Sequence, residues 1–407
     1  MTHRAYLAAL VSEGSYSVRG GNRGEDCEAT LRAVKELGVA TNRADETVHL
    51  TGLAGLLKAP KEVLDVGNSG TAMRLLLGVL AGQPFTSTLS GDESLNRRPM
   101  ARVTDPLALM GCSTKTTEGH APVQVQGAKL QGIDYELPVA SAQIKSALLF
   151  AGLQAEGTTR IRGGNRSRDH TERLFRAWGA KLEGGPNDLR ILGPTCLRAQ
   201  DFQVPADPSA AAFYGVAAAI VPGSEIQLHG VSQNPTRIRG LELLSEMGLH
   251  MSWTSSRTES WEPQADVLFQ NGSLAPIMAR GQAVVEAIDE LPALAVAAAF
   301  AEGTSEFRDA SELKVKESNR LLAVAENLRA IGGDVELLDD GWRIRGSGGE
   351  PLEGGIIQSH DDHRIAMAFL IAGLRTKRGV EVRGEPMIET SDPYFMSNLR
   401  TMMESAS

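Results

Sequence analysis

Side chains that could do chemistry are bunched in short polar stretches, each leading into an apolar or amphipathic run. GNSGTAMRLLLG (67–78) joins glycines that permit close backbone approach to an apolar helix. It lacks the lysine of a P-loop and the spacing of a dinucleotide fingerprint, so it points only to a cradle for phosphate or carboxylate. GDESLNRRPMAR (91–102) carries Arg97, Arg98 and Arg102 around a proline suited to a helix's first position. Of these, Arg98 is the best placed to grip a carboxylate through two parallel bonds. ASAQIKSALLFAGL (140–153) puts Ser141 and Gln143 at a helix start with Lys145 one turn in, and NRSRDHTERL (165–174) sets Ser167, Arg168 and His170 before an amphipathic helix. Such hydroxyl and cationic donors suit a phosphate.

Other stretches could move protons. In AIDELPALAVAAAF (287–300), Asp289 and Glu290 precede a wholly apolar helix; capping satisfies one carboxylate and leaves the second for proton transfer. ELKVKESNRLL (312–322) holds Lys314, Lys316, Glu317 and Arg320. On a helix Lys316 and Arg320 would share a face at i, i+4, where like charges repel, which suggests an anion between them. HDDHRIAMAFLIAGL (360–374) could be read as metal ligands through His360 and His363, but a metal site needs a better-defined set of three or four. His363–Arg364 at a helix entrance suits an anion better. The alternative at each stretch is plain: Ser, Asp and Asn as N-caps worth about 1 kcal/mol each, and basic turns that are merely solvated. No GxSxG, HExxH or Cys/His pairing in a fixed context favours nucleophilic or zinc hydrolysis.

What positions these groups is a repeat. Ala/Leu-rich helices close at Gly14, Gly82, Gly157, Gly223, Gly303 and Gly379, each followed by a β-type run such as SYSVRG (15–20), TTRIRGG (158–164) or VEVRG (380–384). A second, amphipathic helix alternates with them, closing at Gly38, Gly111, Gly179, Gly248 and Gly332. Each unit therefore has two helices and several short strands, repeated about six times, and must pack on its neighbours to bury its faces. Three units per half give two α/β domains, 1–205 and 206–407, with the break in LRAQDFQVPADPS (197–209). The polar stretches fall at helix N-termini, where unpaired N–H groups and the helix dipole favour anions.

Length and composition agree with this. The 407 residues are too many for one ordinary core, and 42% apolar with 22% charged residues is globular. Three scattered cysteines make neither a disulfide frame nor a metal set, and no run is long and apolar enough to cross a membrane. No signal-peptide pattern opens the sequence, so a reducing cytoplasm is expected. A net charge of −9 argues against nonspecific nucleic-acid binding, so an anionic ligand would need a local cationic cluster.

Taken together, GNSGTAMR, NRRPM, SAQIKSALL, SRDHTE, DELPALAVAAAFAEG, LKVKESNRL and DHRIAMAF, in order along almost the whole sequence, resemble the 5-enolpyruvylshikimate-3-phosphate (EPSP) synthases. The resemblance implies two domains of three βαβαββ units each, an inside-out α/β barrel with helix N-termini aimed at an interdomain cleft. It implies an enolpyruvyl transfer from phosphoenolpyruvate to shikimate 3-phosphate by addition and elimination, with no metal or organic cofactor, in a cytoplasmic monomer. Arg4, Ser141, Ala142, Gln143, Ser167, Arg168, Asp289 and Lys316 match the shikimate-phosphate pocket. Gly70, Arg98, Gln143, Arg320 and Arg364 match the phosphoenolpyruvate pocket. Asp289, Glu317 and Lys316 match the catalytic groups. Gly70 is also where a side chain would crowd glyphosate, so a pocket open to it is expected.

Three departures qualify the likeness. The family's Lys-Ser pair, which would precede the position of Met1, is missing; its loss is expected to remove ~3 kcal/mol, or ~100-fold, from transition-state binding, and to leave the second domain one strand short. Asn319 stands where Asp is usual, which could alter how Arg320 is held. ETSDPYF (389–395) carries Thr390 in place of a late pocket lysine, with an unusual Asp392. Two other readings stay open: a catalytically silent relative that binds the anionic substrate, and the sister enzyme acting on UDP-N-acetylglucosamine.

Overall fold

A computed structural model describes residues 1–164 and 167–405. The chain forms two units, Met1–Val204 with Glu259–Trp261, and Pro205–Thr258 with Glu262 onward. Each has its own apolar core. The Ala/Leu-rich helices appear as Thr2–Val11, Gly70–Leu80 and Ala142–Gly152 in the first unit, and Pro208–Ile220, Leu291–Phe300 and His363–Gly373 in the second. Nearly all their side chains are buried, as expected of helices apolar all round. Within each unit they pack on one another. Closest are Gly70–Leu80 and Ala142–Gly152: a Cβ on Gly78 would lie 2.2 Å from the Ala147 carbonyl oxygen, so only glycine allows that approach.

The amphipathic helices Glu25–Glu36, Ala101–Leu109, His170–Ala177, Arg239–Glu246 and Arg320–Ala330 alternate with them. A sixth, Phe395–Ser405, completes the series the sequence pattern left at five. Sheet topology follows the repeat. Leu64–Asp65 pairs parallel with Thr86–Ser90 across the Gly70–Leu80 helix, and two antiparallel strands extend the sheet. Asp134–Glu136 with Gly157–Arg162, and Met278–Ala279 with Thr304–Phe307, repeat the arrangement across their own helices. In the first sheet the parallel partner of Ser15–Arg19 is Phe202–Gln203, from the far end of the unit. The fold is a two-domain α/β architecture, and the crossovers from Leu64–Asp65 and Asp134–Glu136 each lead within a few residues into a helix N-terminus.

Candidate functional site

In the second unit five of the singled-out residues converge. Arg320 opens its helix fully buried, only 1% of its side chain exposed. Its Nε donates to Asp362 Oδ2 (2.8 Å), and its Nη2 to Glu317 Oε2 (2.6 Å) and Asp362 Oδ1 (3.2 Å). Burial alone would lower the Arg320 pKa, but the charges of Asp362 and Glu317 outweigh it and raise it. Asp362 is likewise buried; burial would push its carboxyl up, and the Arg320 charge holds it below the usual range instead. Asp362 also receives the Ser318 hydroxyl (3.0 Å) and caps the His363–Gly373 helix by accepting from Arg364 N (3.0 Å). Arg364 in turn reaches the Asp289 carbonyl through Nη1 (2.9 Å).

The Asp289 carboxylate lies between two cations: Lys316 Nζ and Arg320 Nη1 each stand 3.6 Å from Oδ1. Arg320 Nη1 is buried and has no hydrogen bond among the described residues. It is a charged donor still looking for an acceptor.

The sequence reading is corrected here in two ways. Lys316 and Arg320 do not share a helix face, because Asn319 caps the helix that Arg320 begins and Lys316 follows the 3-10 turn Ser311–Val315. What sits between the two cations is this chain's own carboxylate. Nor does the Glu290 side chain cap the Leu291–Phe300 helix, although the residue holds the N-cap position. Its buried carboxylate accepts the Ser209 hydroxyl, whose oxygen also accepts from Arg237 Nη2 (2.7 Å). Asn319 accepts from Leu322 N (3.3 Å), an ordinary cap, while Asp362 and Glu317 grip Arg320. Lys314 is exposed at the surface. His360 pairs with Glu326 at 3.6 Å, and it and Asp361 adopt left-handed backbone (φ 54° and 55°) just ahead of the Asp362 cap. Thr390 donates its hydroxyl to Met387 O (2.7 Å), and burial pushes the Asp392 carboxyl up.

In the first unit the predicted residues gather at helix starts. Ser69 caps the Gly70–Leu80 helix by accepting from Ala72 N (3.2 Å). Gly70 leaves room there: a Cβ would come within 3.0 Å of Arg74 Nη1 and 3.1 Å of Arg98 Nη1. Arg98 Nη2 donates to Asn68 Oδ1 (2.7 Å), whose amide donates to Asp92 (2.7 Å). Arg74 Nη1 donates to Gln143 Oε1 (2.6 Å), and Gln143 Nε2 to Thr71 Oγ1 (3.0 Å), so the two helix starts are tied together. Ser141 caps the Ala142–Gly152 helix through Ile144 N (3.5 Å). Ser167 and Arg168 lie half-buried before the His170–Ala177 helix; Asn165 and Arg166, which open that motif, fall outside the described residues. Arg4 is buried, with Nε on Thr171 Oγ1 (2.7 Å) and Nη2 on Ser146 Oγ (3.2 Å).

Other sequence expectations fail here. Pro99 precedes the Met100 cap rather than opening the Ala101–Leu109 helix. Arg97 is an exposed ion pair with Glu93 (2.6 Å), and Arg102 is also exposed. Lys145 is not a pocket donor: it is entirely buried against Glu172. Asp362, Arg74 and Glu172 are the contributors missed as individuals. A charge embedded in an apolar helix, as in IKSALLF, was the available signal that a buried partner exists.

Within the second unit, the helix-start residues Arg320 and Arg364 stand beside Asp289, a set of groups with the chemistry to bind small anions and exchange protons. The sequence profile of EPSP synthase (3-phosphoshikimate 1-carboxyvinyltransferase) matches residues 1–399, and the chain belongs to that family. It is 45% identical to the 3-phosphoshikimate 1-carboxyvinyltransferase of Shouchella clausii, covering 99% of this chain and 94% of that one. It is 47% identical to the enzyme of that name from Geobacter metallireducens, covering 97% and 92%. The solved EPSP synthase of Acinetobacter baumannii superposes with a TM-score of 0.88 at 42% identity, covering 98% of this chain and 93% of that one.

Proposed function

We propose that the protein transfers the enolpyruvyl group of phosphoenolpyruvate to the 5-hydroxyl of shikimate 3-phosphate, releasing inorganic phosphate. The observation that carries the reading is Asp289, a carboxylate poised between Lys316 and Arg320, next to a buried Arg320 Nη1 without a hydrogen-bond acceptor among the described residues. In this reading Ser141, Ala142, Gln143, Ser167, Arg168 and Arg4 hold or frame the shikimate ester, and Lys316 contributes a cation. Gly70, Arg98, Gln143, Arg320 and Arg364 take the carboxylate and phosphate of phosphoenolpyruvate.

Addition needs a proton at carbon 3 and loss of the 5-hydroxyl proton as its oxygen bonds to carbon 2. Asp289 accepts the hydroxyl proton, its carboxylate oriented between Lys316 and Arg320. Glu317, held by Arg320, exchanges the proton at carbon 3: it gives one on addition and takes one back on elimination. The carbon 2–phosphate oxygen bond then breaks, the double bond re-forms, and phosphate departs into the arginine cluster. The silent-relative alternative is not favoured, since the named relatives align over nearly their whole length. The protein is proposed to work as a cytoplasmic monomer, for which light scattering should return the 43.4 kDa chain mass.

The test is direct. Purified protein given both substrates should release phosphate and form the enolpyruvyl ether, read by proton NMR. Calorimetric binding of shikimate 3-phosphate without any turnover would replace this reading with that of a binding relative.

A further inference from the structure

Lys145 is the least exposed cation of the first unit's helix cluster, with none of its side chain accessible. It sits one turn into the Ala142–Gly152 helix, whose start carries Ser141, Ala142 and Gln143. Its Nζ makes two contacts: Glu172 Oε1 at 2.5 Å and the backbone carbonyl of Ser167 at 3.1 Å. Its stem runs beneath Gly164, where a Cβ would meet Lys145 Cδ at 3.4 Å, and Ser167 N donates to Gly164 O (2.9 Å). Ser167 therefore has its N–H fixed to Gly164 and its C=O fixed to an ammonium. Its hydroxyl oxygen is buried and has no hydrogen-bond partner among the described residues.

A buried ion pair of this kind is poor value for stability alone, because desolvating both charges offsets most of their attraction. Here the pair joins the helix that carries three pocket residues to the helix entrance that carries two more. Glu172 cancels the lysine's charge, so what remains is geometry: a rigid link between two halves of one pocket.

We infer that Lys145, paired with Glu172, is a positioning residue that sets Ser167 for the phosphate of shikimate 3-phosphate without touching the substrate. The inference rests on the pocket assignment made above. A Lys145→Met variant loses the bond to Ser167 and strands Glu172, so it should lose both stability and affinity. The double variant Lys145→Met/Glu172→Met removes the stranded charge and should recover stability. It should still show a KM for shikimate 3-phosphate raised about 10- to 100-fold, the loss of one charge-assisted orienting bond, with the KM for phosphoenolpyruvate and kcat nearly unchanged.

A double variant that regains both stability and a parental KM for shikimate 3-phosphate would show the pair to be structural only and overturn the inference. Ser167→Ala separates this from failure of the pocket assignment. Should it leave the shikimate 3-phosphate KM unchanged, the assignment falls and takes the inference with it. If it raises that KM while the double variant does not, only the inference falls.

Discussion

Arg98 and Arg74 in the first unit and Arg320 in the second are oriented near helix starts by different kinds of partner. In the first, Arg98 leans on the amide of Asn68 and Arg74 on the amide of Gln143. Each of those bonds goes to a neutral amide. In the second, Arg320 is clasped by Asp362 and Glu317 and faces Asp289. Carboxylates surround the guanidinium there, and its charge holds the Asp362 carboxyl below the usual range. Amide partners aim a guanidinium; carboxylate partners aim it and are themselves fixed in place by it.

The largest effect that tests this contrast is at Asp289. Asp289→Asn keeps the shape and removes the base, so kcat should fall about 10²- to 10⁴-fold, with a smaller change in the KM of either substrate in steady-state assays. A loss confined to KM would abolish the distinction between the units. Next is Arg98→Ala, expected to raise the KM for phosphoenolpyruvate about 10- to 100-fold with the shikimate 3-phosphate KM held. Equal losses for both substrates would deny the first unit its specific grip.

Acid stability sharpens the comparison, because each unit holds a half-buried histidine at a helix start. Burial lowers His3 from 6.5 to about 3 and His363 from 6.5 to about 4. Both are neutral in the folded protein at pH 7. On acidification the unfolded chain takes up these protons first, so their contribution to stability is complete above pH 6.5 and is lost progressively as pH falls toward 4 and, for His3, toward 3. Urea midpoints between pH 7.5 and 4.5 should decline, and His363→Gln should flatten that decline without abolishing it. An unchanged slope would mean His363 titrates normally. The smallest effect expected is at Asn319: Asp caps a helix about as well, so Asn319→Asp should shift stability by no more than about 0.5 kcal/mol and leave the KM for phosphoenolpyruvate alone. A marked KM change would make this position a determinant of how Arg320 is held.

Much of this was legible in the sequence, for identifiable reasons. Apolar helices closing at regularly spaced glycines set the repeat, and a polar stretch followed by an apolar run marked residues 67–70, 140–143 and 360–364 as helix starts. Local pattern failed where a tertiary contact decided. Lys316 looked helical because i, i+4 spacing was the only measure available, yet Asn319 begins the helix three residues later. Glu290 looked like a cap, but the buried Ser209 hydroxyl, 81 positions away in the chain, claims it. The Lys145–Glu172 pair was invisible for the same reason. The charge inside IKSALLF hints at a buried partner, but only packing shows that the partner is Glu172.

Gly78 lies eight residues beyond Gly70, about 12 Å along the helix axis, where the Gly70–Leu80 and Ala142–Gly152 helices touch backbone to backbone. The Arg74–Gln143 bond joins the same two rods near their other ends. A single methyl group at Gly78 would therefore work as a wedge at the fulcrum of a pair of tongs: it would spread the tips that carry Gly70 and Gln143 while touching neither. Sensitivity to substitution in this fold thus follows mechanical leverage, and need not fade with distance from the bound molecule.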